Sequence, residues 1–265
     1  MSTERTPTLL VIAGHDPSGL AGLTVDLETA AALGVRPLSL VSALTIQNSR
    51  RFESAVATAP ATLEAAFDAI FEEIRFDAVK IGYLPNPEVI AAVGRLLDRL
   101  EGVPVVLDPV VAASADDRSP EDERLAALRW LLGRVTIATP NLTEAALLAG
   151  QAEADASTAR RLHDAGLPNV VVTGADAGGD TVVHTLSLAD LPPASIECER
   201  LPGRYRGSGC TFASAIAAGL ARGRPLATAI DRAQAFTLAS LKTATEVAPG
   251  IFRPRRSAAA LSGEQ

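Results

Sequence analysis

Thr8-Leu9-Leu10-Val11-Ile12-Ala13-Gly14-His15-Asp16-Pro17-Ser18-Gly19-Leu20-Ala21-Gly22 decides how this chain is read, together with the Ala/Leu-rich stretch over 21–33 that stops at Gly34. A short apolar run, a Gly/Pro turn and an amphipathic stretch make one βα unit. The apolar run has no polar alternation, as expected of a parallel strand covered on both faces. The unit recurs: apolar runs at 37–44, 78–81, 103–107, 135–138 and 170–173 alternate with helical periodicity at 61–74, 87–100, 121–132, 142–148, 210–221 and 226–243. Gly150, Gly166 and Gly223 stand where helix C-caps belong. After Thr173 the pattern changes, and runs at 181–186 and 196–201 read as short antiparallel strands on the edge of a mainly parallel sheet. No linker or repeat divides the chain, so one α/β domain is expected. Its tail from 249, with Arg253, Arg255 and Arg256, reads as loose and solvated.

Composition supports a chain with a large core. Of 265 residues 48% are hydrophobic and 21% charged, which excludes disordered and fibrous classes. A net charge of −7 argues against a broad nucleic-acid surface, which needs a basic footprint. The cations are lopsided, because Lys80 and Lys242 are the only lysines among 24 basic residues. Cys198 and Cys210 have neither a CxxC spacing nor a zinc-site spacing, so a reducing compartment fits best. No apolar run reaches the length of a membrane span, and the start of the chain lacks the pattern of a secretion signal. A cytoplasmic protein without membrane or nucleic-acid partners is expected.

In open α/β sheets ligands bind beyond the carboxyl ends of the strands, so the turns there are the places to search. The turn over 14–22 lacks the G-x-G-x-x-G order, and no Walker A lysine exists in the chain. Arg206-Gly207-Ser208-Gly209-Cys210-Thr211 precedes an apolar helix, where backbone N–H groups and the helix dipole favour an anion. The other reading of this segment is a glycine-rich turn with a small buried cysteine. In the anion reading, the same donors should lower the Cys210 pKa. Asp108-Pro109 follows one strand, and Pro140-Asn141-Leu142-Thr143-Glu144 follows another. Asn141 and Glu144 form a capping box in one reading. In the other, Asp108, Asn141 and Glu144 place oxygens around Mg²⁺. No Ser-His-Asp or Cys-His-Asn arrangement is readable, and His15, His163 and His184 read as surface or core residues.

Six blocks in order carry a resemblance: Gly14-His-Asp-Pro-Ser-Gly, Ala43-Leu-Thr-Ile-Gln-Asn48, Val79-Lys-Ile-Gly82, Leu107-Asp-Pro-Val110, Thr139-Pro-Asn-x-x-Glu144 and Gly207-Ser-Gly-Cys-Thr211. Over about 8–246 the chain resembles the hydroxymethylpyrimidine/phosphomethylpyrimidine kinases of thiamine biosynthesis, in the ribokinase-like superfamily. The resemblance implies a three-layer α/β/α sandwich and a homodimer. It implies ATP-dependent phosphorylation of 4-amino-5-hydroxymethyl-2-methylpyrimidine, then of its monophosphate to the diphosphate. By position, it implies that Cys210 takes the slot of the catalytic base, and that Gly207, Ser208 and Gly209 form the anion hole. Gly14, Asp16, Ala21, Thr45, Gln47, Tyr83 and Val110 would line the pyrimidine pocket. Asn141, Thr173, Arg206 and Thr211 would meet the nucleotide, and Asp108 and Glu144 would hold Mg²⁺.

Departures from the family pattern mark the same turns. Leu20 replaces a glycine, His15 a small residue and Arg206 a histidine. Where the family carries a lysine after the strand ending at Val172, this chain has Thr173. Arg206 is then the candidate for the missing charge, since its planar fork suits a phosphate. Pyridoxal kinase activity is the first alternative, because a pyridine bearing a hydroxymethyl group is a similar target. A non-catalytic pyrimidine-binding regulator is the second.

Overall fold

The computed structural model describes residues 5–111, 122–175 and 177–257. A nine-stranded sheet runs in the order β3-β2-β1-β4-β5-β6-β7-β8-β9. Its strands are β1 (Thr8–His15), β2 (Arg36–Gln47), β3 (Phe52–Ala57), β4 (Ala78–Ile81), β5 (Val105–Leu107), β6 (Ile137–Ala138), β7 (Asn169–Val172), β8 (Thr181–Leu188) and β9 (Ala194–Glu199). The pairs from β2 through β7 are parallel, while β3, β8 and β9 pair antiparallel at the two edges.

Strand β1 shows why the first apolar run has no alternation. Leu10 and Ile12 enter the core on one face, where α2 (Pro60–Phe71), α3 (Pro87–Leu97), α4 (Asp122–Leu131), α5 (Leu142–Ala149) and α6 (Thr158–Asp164) contribute residues such as Phe67, Val93, Leu128, Ala145 and Leu162. Leu9, Val11 and Ala13 enter the other core, against α1 (Gly22–Ala32), α7 (Ser208–Ala221) and α8 (Leu226–Lys242). These are the three layers. Each such buried Leu or Ile contributes about 1.5–3 kcal/mol relative to exposure. Helix α7 is the most enclosed, with Thr211 through Gly219 all buried.

The chain reverses its direction of travel across the sheet at β1, which lies between β2 and β4. A crevice therefore opens beyond the carboxyl ends of β1 and its neighbours. Two glycines let backbone approach backbone there. Gly22 has φ +59°, and a Cβ on it would lie 2.4 Å from the Gly14 carbonyl oxygen. Gly207 has φ +77°, and its Cβ would lie 2.4 Å from the Leu20 carbonyl oxygen.

The structure adds elements beyond the sequence reading: β3, α6, and a second sheet of β10 (Arg204–Tyr205), β11 (Thr245–Ala248) and β12 (Ile251–Arg253) in the order β10-β12-β11. The expected loose tail is corrected over its described part, 249–257. Strand β12 pairs with β10, Arg253 and Arg256 reach Glu28 of α1, and Arg256 is buried. The rest of the tail and residue 121 of the expected 121–132 helix lie outside the described residues.

Candidate active site

One cleft of about 880 Å³ lies at the crevice. It brings together Gly14, Ala21, Thr45, Gln47, Tyr83, Val110, Asp108, Asn141, Glu144, Thr173, Arg206, Gly207, Ser208, Gly209 and Cys210, fifteen of the seventeen residues the sequence reading nominates. The other two act from behind the wall. Asp16 is 1% exposed, and its Oδ1 accepts from the Ser18 backbone N–H (2.9 Å) and hydroxyl (2.7 Å), which fixes the turn after β1. Thr211 is fully buried, and its hydroxyl donates to the Gly207 carbonyl at 2.8 Å.

One wall is built by β2, β3 and the turn after β4. Thr45 donates its hydroxyl to the His15 carbonyl (2.8 Å), and Ser42 donates to the Tyr83 carbonyl (2.6 Å), so both lining residues are held by side-chain bonds. Phe52 of β3 meets the Tyr83 ring edge-on at 6.0 Å. Arg124 covers the Tyr83 ring at 5.0 Å and donates to the carbonyls of Leu84, Val110 and Val111. This guanidinium ties the turns after β4 and β5 to one aromatic face.

The floor is a buried charge network. Lys80 projects from β4 with no exposure, and its ammonium donates to Asp26 at 2.9 Å and Asp108 at 3.3 Å. Asp26 also accepts from the Ser214 hydroxyl of α7 at 2.8 Å. Burial raises the Asp26 carboxyl pKa to about 6 in spite of Lys80. The two carboxylates hold the Lys80 pKa above its ordinary value, against the pull of burial.

Cys210 corrects an expectation. Its thiol pKa is pushed up, first by burial and next by the Asp108 charge, with Asp26 adding to both. Lys80 and the Gly22 backbone N–H pull it down and are outweighed. Against the donors of the helix start stand burial and the carboxylates of Asp108 and Asp26, which only the fold brings to the same place.

At the turn after β6 both bonds of the capping box are present. Asn141 Oδ1 accepts from the Glu144 backbone N–H (2.8 Å), and Glu144 Oε2 accepts from that of Asn141 (3.0 Å). Glu144 Oε1 also accepts from Val111 N–H at 3.3 Å, joining this turn to the one after Asp108. Among the described residues no three Asp, Glu, His or Cys side chains converge as an all-protein metal cage. At the far end Thr173 lines the cleft, with its N–H on the Pro140 carbonyl. Arg200 donates to the carbonyls of Ala175 and Ala177, and His184, stacked on Phe212 at 5.5 Å, accepts from Gly174 N–H.

Sequence reasoning misses Lys80, Phe52 and Arg124. Lys80 had a signal of its own: a lysine inside the apolar run 78–81 must find charged partners if that strand is buried.

A family model described as phosphomethylpyrimidine kinase matches residues 16–254, across every turn that builds this cleft. The chain belongs to that family. It is 36% identical over 258 residues to the hydroxymethylpyrimidine/phosphomethylpyrimidine kinase of Rhizobium meliloti, covering 94% of this chain and 95% of the relative. Among solved structures, Bacillus subtilis pyridoxal kinase in an ADP complex superposes with a TM-score of 0.88 at 29% identity, over 97% of this chain and all of that one. Phosphomethylpyrimidine kinase from Clostridium difficile does so with a TM-score of 0.76 at 26% identity, over 89% of this chain and all of that one. As a member of the phosphomethylpyrimidine kinase family the chain is a phosphotransferase with the ribokinase-like fold. Its cleft is lined by the Gly207–Cys210 turn and by Thr173.

Proposed function

We propose that this chain, as one domain, uses ATP to phosphorylate the hydroxymethyl group of 4-amino-5-hydroxymethyl-2-methylpyrimidine, and then its monophosphate to the diphosphate. The observation that carries the reading is the sharing of one cleft by the Gly207–Cys210 turn, the Asp108–Lys80 pair and the Gln47/Tyr83 wall. The Gln47 amide can both donate to and accept from the edge of an aminopyrimidine, and Tyr83 offers a ring for it to pack on. The amides at the start of α7 supply donors for the transferred phosphoryl group. Arg206, 4% exposed and lining the cleft, brings a cation to it, as Thr173 does not.

Phosphoryl transfer has a loose transition state, in which positioning and charge neutralisation do most of the work. Cys210, a protonated thiol, accepts a hydrogen bond from the substrate hydroxyl at sulfur and holds it in line, and the hydroxyl proton leaves late, to an oxygen of the transferred phosphoryl group. Magnesium fits the donors present: Asp108 and Glu144 are carboxylates on the same cleft, and phosphate oxygens complete the set such an ion prefers. Bound there, it would neutralise charge between the phosphates. Lys80 holds one Asp108 oxygen and two backbone N–H groups hold Glu144, so both carboxylates are fixed beforehand.

The test supplies ATP and Mg²⁺ with the pyrimidine alcohol or pyridoxal and follows ADP release and the phosphorylated products. Mono- and diphosphate of the pyrimidine are expected. Pyridoxal turning over faster would favour the second reading, which the similarity to the Bacillus subtilis pyridoxal kinase supports. Binding of the pyrimidine without ATP would favour a regulator.

The proposal extends to a cytoplasmic homodimer. Leu44 and Ile46 of β2 and Val56 of β3 are 55%, 51% and 62% exposed, and Leu44 pairs directly with Val56. This apolar face borders the edge strand of the sheet, where exposed apolar groups invite association. Ile46→Glu is expected to convert a dimer to monomers by light scattering. An unchanged mass for that variant would place the interface elsewhere.

A further inference from the structure

Arg256 lies behind the start of α7 with a fully buried side chain. Its Nε donates to the Thr211 hydroxyl at 2.7 Å, and that hydroxyl in turn donates to the Gly207 carbonyl at 2.8 Å. Its Nη1 reaches Glu28 of α1 at 3.3 Å. Its Nη2 is buried and meets no acceptor among the described residues, and a Cβ on Gly207 would lie 3.0 Å from it. Strand β12 delivers the residue to this place. Arg206 N–H donates to the Phe252 carbonyl and Arg255 N–H to the Ser240 carbonyl, so the segment is bonded at two points just before Arg256.

Physically this arrangement is incomplete. The start of a helix is the positive end of its dipole, and a buried cation behind it is unfavourable. A buried donor without an acceptor adds its own cost. Glu28 offsets the charge on one side only, and its carboxylate is 34% exposed. An anion on the open side of the turn would balance this charge across Gly207, without accepting from Nη2.

We infer that Arg256 is a positioning residue for the phosphate chain of the nucleotide: it fixes the Gly207–Thr211 turn through Thr211 and adds positive potential behind its N–H groups. The inference rests on the proposed anion role of that turn. It adds a cation from a segment outside the glycine-cysteine motif. The guanidinium does not touch the phosphates, because Gly207 stands between.

The test compares binding of the ATP analogue AMP-PCP and of AMP, each with Mg²⁺, to the full chain by calorimetry. Arg256→Met is expected to weaken AMP-PCP about ten-fold, the scale of one charge acting across a low-dielectric wall. AMP, which lacks the β and γ groups, should bind within about two-fold of the parent, and Arg256→Lys should keep AMP-PCP within about three-fold. A merely structural role would shift AMP and AMP-PCP alike or leave Lys as poor as Met. Either pattern, or unchanged AMP-PCP binding in Arg256→Met, overturns the inference. If Arg256→Met does not fold by circular dichroism, Arg256→Gln keeps a donor for Thr211 without the charge and must show the same selective loss. A parent that binds no AMP-PCP overturns both this inference and the kinase reading. A parent that binds it in an Arg256-dependent way but phosphorylates neither the pyrimidine nor pyridoxal overturns the proposed activity alone.

Discussion

Cys210→Ala is expected to lower kcat about 10²-fold, the scale of losing a contact that positions the reacting hydroxyl. The KM values for ATP and for the pyrimidine should stay within about three-fold, because the side chain holds only the reacting hydroxyl. Helix α7 should survive the change, since alanine is a better helix former than cysteine and Cys210 lies in its first turn. Cys210→Ser belongs in the same series. With burial and Asp108 pushing the thiol pKa up, the parent side chain rests as a protonated thiol, and a serine hydroxyl can take over part of its hydrogen bonding. Serine should therefore fall between cysteine and alanine. Steady-state kinetics giving the alanine variant a turnover within a few-fold of the parent would remove Cys210 from the mechanism.

Lys80→Met is expected to cost about 3–5 kcal/mol of stability, because it leaves two buried carboxylates without their shared cation. In a domain whose whole margin is about 5–15 kcal/mol, that is a large shift in urea midpoint. The pH dependence has a definite sign. Burial raises the Asp26 pKa to about 6 even with Lys80 present, and removing the lysine removes the main influence pulling it down. In the variant the folded state then holds a proton that the unfolded chain, with a carboxyl pKa of about 3.9, has already released. Stability associated with Asp26 is present below the unfolded pKa and is lost as pH rises through the folded value. The gap between parent and variant should therefore be wider at pH 7 than at pH 5. Adding Asp26→Asn should recover part of the loss by removing the repelled charge, while leaving Asp108 unclamped, so the double variant should fold better than it turns over. A gap independent of pH, with no recovery in the double variant, would show that Lys80 acts by packing and not by charge.

The contrast between Lys80 and Arg256 explains how much was legible beforehand. The βα units were readable because strands buried on both faces are continuously apolar and their helices end at glycines such as Gly34 and Gly150. The turns at their carboxyl ends followed from the topology rule, which is why most nominated residues share one cleft. Strand β3 was not readable: Glu53, Ser54 and Val56 are exposed on an edge, and nothing in them marks a buried face. The seven-residue α6 is too short for periodicity to show. Strands β10 and β12 are two and three residues long and pair across more than forty positions, so no local pattern announces them. Arg256 follows from that pairing, and a basic tail composition pointed the other way. The Cys210 pKa failed for a related reason: Asp26 and Asp108 come from distant parts of the chain, and only the fold sets their fields against the helix start.

The strap formed by β12 and Arg256 also bears on biogenesis. All nine strands of the main sheet and both helices that seat the guanidinium, α1 and α7, are translated before residue 251. A nascent chain halted there would possess the sheet, the glycine turn and the cysteine, yet the seat behind Gly207 would lack its occupant. On the ribosome, then, assembly of the scaffold and completion of the seat behind Gly207 are separate events in time, and the second waits on a segment that emerges after both helices and the whole main sheet.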